Sequence, residues 1–310
     1  MEAFLQPLQG LAEFDEIKKR CGANRGILNV SGCMESQKVH LMYGLSGLFP
    51  CHLILADDER NAKEIYEDYR FYDKNVYFYP AKDLLFFQAD IHGNLLIRQR
   101  MRVIRALLEQ EEVTVVTSID GCMDFLMPLE KIKSSLLHFK SDSVIDLDQL
   151  KADLVDLGYE RAGQVELPGQ FSVRGGIIDI YPLTEDNPWR IELWDDEIDS
   201  IRSFDAESQR SLENIDEITI YPATEKMDSE DMVSFLDYFP EEKTLLFLDD
   251  LVDAGRHIPL RVLFQPADAA VQLGEALGHD IRQILLVQVI GGVDGLVVDA
   301  HHLGGHTHGR

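Results

Sequence analysis

The chain has 310 residues, a length that predicts about two domains and a core able to fold without disulfides or bound metal. Its 29 Lys and Arg against 55 Asp and Glu give a net charge of −26, which excludes a general DNA-coating role. The four cysteines form no C-x-x-C pair, so we expect reduced thiols and no zinc knuckle. The sequence shows neither a secretion signal nor a membrane span, and we expect a cytoplasmic protein.

Between residues 26 and 120, short apolar runs alternate with helical patterns. Strands that alternate with helices predict an α/β domain built on a parallel sheet. The long helix near Leu95 to Glu109 carries several arginines, which we interpret as a solvated face rather than a phosphate-binding one: Arg98, Arg100, Arg102 and Arg105. We assign residues 1–141 to this domain and expect residues 223–250, with the apolar run KTLLFLDD, to complete it.

A different pattern begins at Asp146, which is placed to cap a helix that Gly158 ends. Five predicted strands with short turns follow it: QVEL, QFSVR, IIDIY, WRIELW and EIDSIRSF. Connections this short predict an antiparallel meander, so residues 142–222 form a small α+β domain inserted into the parallel-sheet domain.

Residues 251–310 differ in composition, because they contain no Lys, Ser, Asn, Tyr, Cys, Met or Trp and hold six of the ten histidines. We interpret this tail as an out-of-frame or fusion segment, and we expect it to contribute nothing to the fold. Its terminal histidines are those that most resemble metal ligands: His301, His302, His306 and His308. Adjacent histidines in a Gly-rich segment chelate adventitiously, and we assign no metal site.

The loop after the first strand of a parallel α/β domain is the usual place for a nucleotide. Counted from Gly32, Lys38 takes the lysine position of a phosphate loop, but Gln37 and Val39 replace the glycine and the hydroxyl residue. Glu35 adds a carboxylate to the loop whose backbone N–H groups would bind the phosphates. The sequence therefore predicts a degenerate, NTPase-like domain without a nucleotide or metal cofactor. The alternative is an ordinary strand-to-helix turn with no relation to a phosphate loop.

Side chains alternate across a strand, so Arg190 and Trp194 of WRIELW share a face opposite the apolar one. Arg174, at the end of QFSVR, also points away from the apolar face. Arginines beside an exposed aromatic are typical of a binding hot spot. The same pattern fits a surface pair of Arg190 with Glu192, and the alternation alone does not choose between them. No nucleophile has a base partner in the sequence, and we assign no catalytic residue.

Three blocks occur in order: RGG-IIDIYP, R-x-E-x-aromatic-DDEI-x-S-I-R and FD-x-x-SQRS-x-E. Together they resemble bacterial transcription-repair coupling factor, Mfd, in the part that it shares with UvrB. The resemblance covers residues 1 to about 250. It implies a module with a non-functional phosphate loop and an inserted domain that binds UvrA through Arg174, Arg190 and Trp194. It also implies that RNA polymerase and double-stranded DNA are partners only through domains absent from this chain.

Two hypotheses follow from the resemblance. In the first, the chain is a non-catalytic module that recruits UvrA for nucleotide excision repair at stalled RNA polymerase. In the alternative, it is the N-terminal part of an ATP-dependent DNA translocase whose motor domains are missing. Under the first hypothesis, we expect reversal of Arg190 to abolish UvrA binding while leaving the melting temperature nearly unchanged.

Overall fold

The computed structural model describes residues 2–23, 27–82, 90–225, 231–249, 285–291 and 297–301. Its helices are α1 (Glu2–Gln9), α2 (Ala12–Ala23), α3 (Glu35–Leu45), α4 (Glu59–Tyr69), α5 (Asp90–Glu109), α6 (Ile119–Cys122), α7 (Leu129–Ser135) and α8 (Leu147–Asp156), with short 3-10 turns at Ser46–Leu48, Phe235–Tyr238 and Glu241–Lys243. Its strands are β1 (Ile27–Cys33), β2 (Cys51–Ala56), β3 (Val76–Tyr79), β4 (Val113–Ser118), β5 (Phe125–Leu126), β6 (Leu137–Lys140), β7 (Glu160–Arg161), β8 (Gln170–Arg174), β9 (Ile177–Ile180), β10 (Trp189–Trp194), β11 (Glu197–Phe204), β12 (Ser211–Asn214), β13 (Glu217–Ile220), β14 (Val233–Ser234), β15 (Thr244–Asp249), β16 (Leu285–Gly291) and β17 (Val297–His301).

The chain divides into two compact units. The first unit takes the described residues within 1–81, 110–125 and 233–310, and the second takes those within 82–109 and 126–232. One unit carries a parallel sheet and the other an antiparallel sheet, so the fold is mixed α/β. None of the helices in the described ranges is long and apolar enough to cross a membrane.

The sheet of the first unit has the order β17-β1-β16-β15-β2-β4-β3, and every neighbouring pair is parallel except β1 with β17. The alternation predicted for residues 26–120 is confirmed, and the KTLLFLDD run pairs with β2 as β15. Phe247 of β15 and Ile54 of β2 are fully buried among side chains from α1, α2 and α3. Burial of these apolar strands and helix faces stabilises the unit.

Two strands from the tail lie in this sheet, which corrects our expectation that the tail contributes nothing to the fold. β16 lies between β1 and β15 and pairs with both in parallel, while β17 pairs antiparallel with β1. The segment of β16 is rich in residues with high β-propensity, and a strand in the interior of a sheet needs a partner on each side. Of the histidines considered as metal ligands, His302, His306 and His308 lie outside the described residues.

The second unit contains a sheet of order β12-β11-β10-β9-β8-β7, antiparallel except for the β7–β8 pair. α8 begins where predicted, because Asp146 accepts hydrogen bonds from the N–H groups of Asp148 and Gln149. Gly158 ends the helix with φ of +86°, a conformation that favours glycine. Leu150 and Leu154 of α8 pack in one core with Phe171 and Ile191 of the sheet.

Two sequence interpretations in this unit differ from the structure. Residues 164–167, the QVEL run, form no strand; instead the Gln170 amide oxygen accepts the N–H groups of Glu166 and Leu167 and holds the turn at Gly169. Helix α5, which we had placed in the parallel-sheet domain, belongs to the second unit. The predicted limits of the inserted domain, 142 and 222, remain a prediction.

Ion pairs between the arginines of α5 and acidic residues of the second unit explain why this helix belongs to that unit. Arg98 and Arg102 bind Asp186 at 3.0 and 2.5 Å, and Arg105 binds Glu185. Arg100 is fully buried and paired with Glu225. The interpretation of these arginines as a solvated face is therefore wrong for Arg100, and the others anchor the helix to the loop between β9 and β10.

Candidate protein-interaction surface

The antiparallel sheet of the second unit has one apolar and one polar face, as the alternation predicted. On the apolar side of β10, Ile191 is 0% exposed and Trp189 is 7% exposed. On the polar side, cross-strand register places a row of hydrogen-bonding residues side by side: Ser172, Asp179, Arg190, Arg202 and Asn214. We call this side of the sheet the polar face.

Arg190 occupies the middle of that row and is held on three sides. Its Nε and Nη2 donate to the two carboxylate oxygens of Asp179 at 2.6 and 2.9 Å, and Nη2 also donates to Gln209 at 3.1 Å. The guanidinium stacks 4.3 Å from the ring centre of Phe204. Hydrogen bonding to Asp179 raises the pKa of Arg190 above its usual range, although burial opposes the rise. The position and the orientation of the Arg190 guanidinium are therefore fixed.

Arg190 is less exposed than the sequence suggested. Its side chain is 14% exposed, and the Asp179 carboxylate that it neutralises is 0% exposed. Loss of one partner from a buried ion pair destabilises a protein. The premise that Arg190 is exposed is therefore wrong, and we expect its reversal to lower the melting temperature rather than leave it nearly unchanged.

Arg174 meets the same carboxylate from the neighbouring strand. Its Nη2 donates to Asp179 at 2.6 Å, while the side chain as a whole remains 45% exposed. The alternative pairing of Arg190 with Glu192 is not the one observed, since Glu192 accepts from Arg202. Arg174 and Arg190 are thus brought together on one acid.

Trp194 ends β10 at the tip of the hairpin and is 80% exposed. Asp195 makes the turn with φ of +61°, and Trp194 pairs with Glu197 across the hairpin. Val144 bridges to Glu197 from the other side and is 70% exposed. A large exposed aromatic side chain on the same face of a sheet as arginines has the composition of a protein-binding hot spot.

Sequence reasoning singled out Arg174, Arg190 and Trp194 as candidates but missed the groups that hold the two arginines in place. Asp179 was a visible signal, because it is a lone acid inside the apolar run IIDIY. A charged residue within a buried strand needs a partner of opposite charge. Gln209 and Phe204 gave no signal, because their contacts with Arg190 come from residues distant in the sequence: Phe204 ends the neighbouring strand β11, and Gln209 follows it.

The loop considered as a degenerate phosphate loop lies in the first unit, at the end of β1. Gly32 has φ of +91°, and the Gln37 side chain accepts the N–H of Met34 at 3.0 Å, at the start of α3. Val39 is buried in the core. Glu35 lies in the first turn of α3. Gln37 therefore occupies a backbone amide of the kind that a phosphate loop presents to its ligand.

Lys38 does not face solvent. Its Nζ lies 3.2 Å from Asp249 at the end of β15, and the two side chains are 2% and 1% exposed. Asn61 donates to the other Asp249 oxygen at 3.0 Å. Sequence reasoning missed this pair, because Lys38 and Asp249 lie far apart in the chain and only the fold brings them together.

A cleft of about 390 Å³ opens beside this pair. Acidic residues outnumber basic ones in its lining: Asp57, Asp58, Glu64, Asp68 and Asp249 against Lys38 and Arg60. Carboxylates at this density repel a polyphosphate. Within the described ranges, no group of three or more His, Cys, Asp or Glu side chains is arranged to hold a metal ion.

The cysteines of the first unit are free thiols, as expected. Cys21, Cys33 and Cys122 are buried, and Cys51 is partly buried. Burial raises the pKa of Cys21 and of Cys122 to about 12. Neither thiol forms an appreciable amount of the nucleophilic thiolate at neutral pH.

Comparison with known proteins places the polar face within a named domain. Residues 137–225 match the family described as UvrB interaction domain. The chain is 38% identical over 271 residues to the transcription-repair-coupling factor of Bacillus subtilis (strain 168), which covers 82% of this chain and 22% of that protein.

Two staphylococcal relatives carry the same name. The protein of Staphylococcus aureus (strain MRSA252) is 37% identical over 163 residues, covering 53% of this chain and 14% of its own length. That of Staphylococcus haemolyticus (strain JCSC1435) is 38% identical over 161 residues, covering 52% and 14%. The chain thus spans about a fifth or less of the length of these relatives. It belongs to the transcription-repair coupling factor family, as the N-terminal module that carries the UvrB interaction domain.

Proposed function

We propose that this chain is a non-catalytic module that binds UvrA through the polar face of its second unit and so recruits nucleotide excision repair to stalled RNA polymerase. One observation carries the proposal: Arg174, Arg190 and Trp194 lie on the same face, with two guanidiniums held in place and the indole 80% exposed. Arginine and tryptophan are the side chains that most often dominate protein interfaces.

The charges on this face indicate the chemistry of the contact. Two guanidiniums share one buried carboxylate, so the cluster keeps a net positive charge on a chain whose overall charge is −26. Such a local reversal of sign steers an acidic partner surface toward the face and repels it elsewhere. We therefore expect carboxylates of UvrA to meet Arg174 and Arg190, and an apolar pocket of UvrA to cover Trp194.

The first unit supports a non-catalytic role. We infer that its phosphate-loop-like turn belongs to a degenerate NTPase-like domain, and two observations support the inference: Lys38 is bound to Asp249, and the neighbouring cleft carries more acidic than basic residues. A phosphate loop needs a lysine that reaches the phosphates and a hydroxyl that holds magnesium. We propose that this turn offers neither a lysine that can reach the phosphates nor a hydroxyl group that can hold magnesium. Contacts of the coupling factor with RNA polymerase and DNA, and its motor activity, are proposed for other segments of the family's longer chain.

Trp194→Ala is the sharpest test, because removal of an 80%-exposed side chain leaves folding almost unchanged. We expect at least tenfold weaker binding of purified UvrA in isothermal titration calorimetry, the usual size for a hot-spot aromatic. Val155→Ala, on the exposed side of α8, is the matched control and should bind like the unaltered chain. Equal UvrA affinity of the Trp194 variant and the unaltered chain would overturn the proposal.

A further inference from the structure

Asp179 lies at the centre of the polar face and is positioned by its strand partners. Its side chain is 0% exposed, and its neighbours across the sheet are Ser172 on β8 and Arg190 on β10. Both carboxylate oxygens are occupied by guanidinium donors: Oδ1 accepts from Arg190, and Oδ2 accepts from both Arg190 and Arg174. The acid is buried because the two arginines cover it.

We propose that Asp179 is the positioning residue of the UvrA-binding surface, holding Arg174 and Arg190 side by side in the orientation that the partner requires. This inference rests on the proposed function of the polar face. Asp179 itself does not meet the partner, since no part of its side chain reaches solvent. It acts through the two arginines.

Electrostatics give the first reason. The two guanidiniums, on strands β8 and β10, approach each other over the intervening strand β9 and repel. One carboxylate on β9 between them removes that repulsion and leaves a net charge of one. A second carboxylate at this place would cancel the positive charge and remove the attraction to an acidic partner. One acid for two arginines therefore brings the cations together and keeps the face positive.

Conformational entropy gives the second reason. Arginine is a long side chain that loses much rotamer freedom when it is held in one orientation. Asp179 holds both guanidiniums in the free protein, with Gln209 and Phe204 supporting Arg190. Within the described part of the chain, the Nη1 of Arg190 and the Nε and Nη1 of Arg174 donate to no other group. These outward donors are ordered before the partner arrives, which favours tighter binding.

The test uses Asp179→Asn, which keeps the size of the side chain and removes its charge. We expect UvrA to bind about tenfold more weakly in titration calorimetry, because the arginines are then ordered only on binding. In the free variant, we also expect the Nε–H resonance of Arg190 to lose its hydrogen-bonded position in ¹H–¹⁵N spectra, while the amide resonances of Ile178 and Ile191 persist. A general loss of structure would move those amides as well.

Asp249→Asn is the matched control, since it neutralises an equally buried acid of an ion pair in the other unit. It should lower thermal stability and leave UvrA affinity unchanged. If the Asp179 variant loses the Arg190 signal yet binds UvrA normally while Trp194→Ala binds weakly, the inference about Asp179 is refuted and the proposed function stands. If Trp194→Ala binds normally as well, the proposed function fails.

A second pair of variants covers the case in which Asp179→Asn does not fold. Arg190→Met leaves Asp179 bound to Arg174 alone, and Asp179→Leu with Arg190→Met replaces both charges by apolar groups, a change that proteins commonly tolerate. We expect the double variant to bind UvrA several-fold more weakly than Arg190→Met, because Arg174 has lost its anchor. Equal affinities of these two variants would refute the positioning role.

Discussion

Replacement of Arg190 by glutamine should destabilise the second unit, because this guanidinium neutralises a carboxylate that is 0% exposed. The change removes two charge-assisted bonds to Asp179, one bond to Gln209 and the stacking on Phe204. Loss of one partner from a buried ion pair costs about 3–5 kcal/mol. Since Arg174 still binds Asp179 and Arg190 is 14% exposed, we expect a smaller loss of unfolding free energy, about 2–3 kcal/mol.

This loss is measurable as a fall in melting temperature. For a folding unit of this size, each kcal/mol corresponds to about 2–4 °C, so the transition should fall by about 4–12 °C. Tryptophan fluorescence is the assay of choice, because the chain has two tryptophans, Trp189 and Trp194, and both lie in the second unit. Trp189 is buried, so its emission should shift to longer wavelength when this unit unfolds.

Arg174→Gln is the matched comparison for this substitution. Arg174 makes one bond to Asp179 and is 45% exposed, so solvent screens the interaction and its loss should cost less than about 1 kcal/mol. The expected ranking in stability is therefore unaltered chain, Arg174 variant, Arg190 variant. A melting temperature of the Arg190 variant within 1 °C of that of the unaltered chain would refute the buried-pair argument. UvrA binding by Arg190 variants must be measured well below their own transitions.

Three further outcomes are expected in the first unit. The chain should neither bind nor hydrolyse ATP in the presence of Mg²⁺, because Lys38 is held by Asp249; micromolar binding of a fluorescent ATP analogue would contradict this. Burial lowers the pKa of His52 from 6.5 to about 4, so the folded state favours the neutral imidazole. The contribution of His52 to the free energy of unfolding is therefore complete above about pH 6.5 and is lost as the pH falls toward 4. By pH 5 this loss amounts to about 2 kcal/mol, and His52→Gln should remove that part of the difference between melts at pH 7.5 and pH 5. A chain ending at residue 250 lacks β16 and β17, the partners of β1, so its far-UV circular dichroism transition should fall by more than about 5 °C; an unchanged transition would show that the two strands add no stability.

The sequence was sufficient where local patterns determine structure. Alternation of apolar runs and helical stripes predicted the parallel sheet, and the cap residues Asp146 and Gly158 marked both ends of α8. The two-residue period of β10 separated Ile191, in the core, from Arg190 and Trp194 on the opposite face. These features depend on residues close together in the chain, so a single sequence contains the information that specifies them.

Features that depend on distant partners were not predictable in the same way. The arginines of α5 have the spacing of a solvated helix face, and only the fold brings Glu185, Asp186 and Glu225 to them from 80 to 125 residues away. The composition of the tail suggested that it lies outside the fold, yet β16 has the β-propensity that suits the interior of a sheet. The composition of the tail indicated a segment outside the fold and its β-propensity indicated a strand; in the structure this segment pairs with β1 and β15.

Each unit contains an acid bound to a basic residue that the sequence singled out, and the two arrangements have different chemical consequences. Lys38 and Asp249 are one cation and one anion, 2% and 1% exposed, so the pair is neutral and closed to solvent. Asp179 serves two cations, one of them 45% exposed, so charge and donors remain available at the surface. A ligand that approaches Lys38 must first separate a buried ion pair, whereas a carboxylate that approaches Arg174 and Arg190 meets donors that are already oriented. This difference is the physical reason for placing the proposed function on the polar face of the second unit and none at the phosphate-loop-like turn of the first.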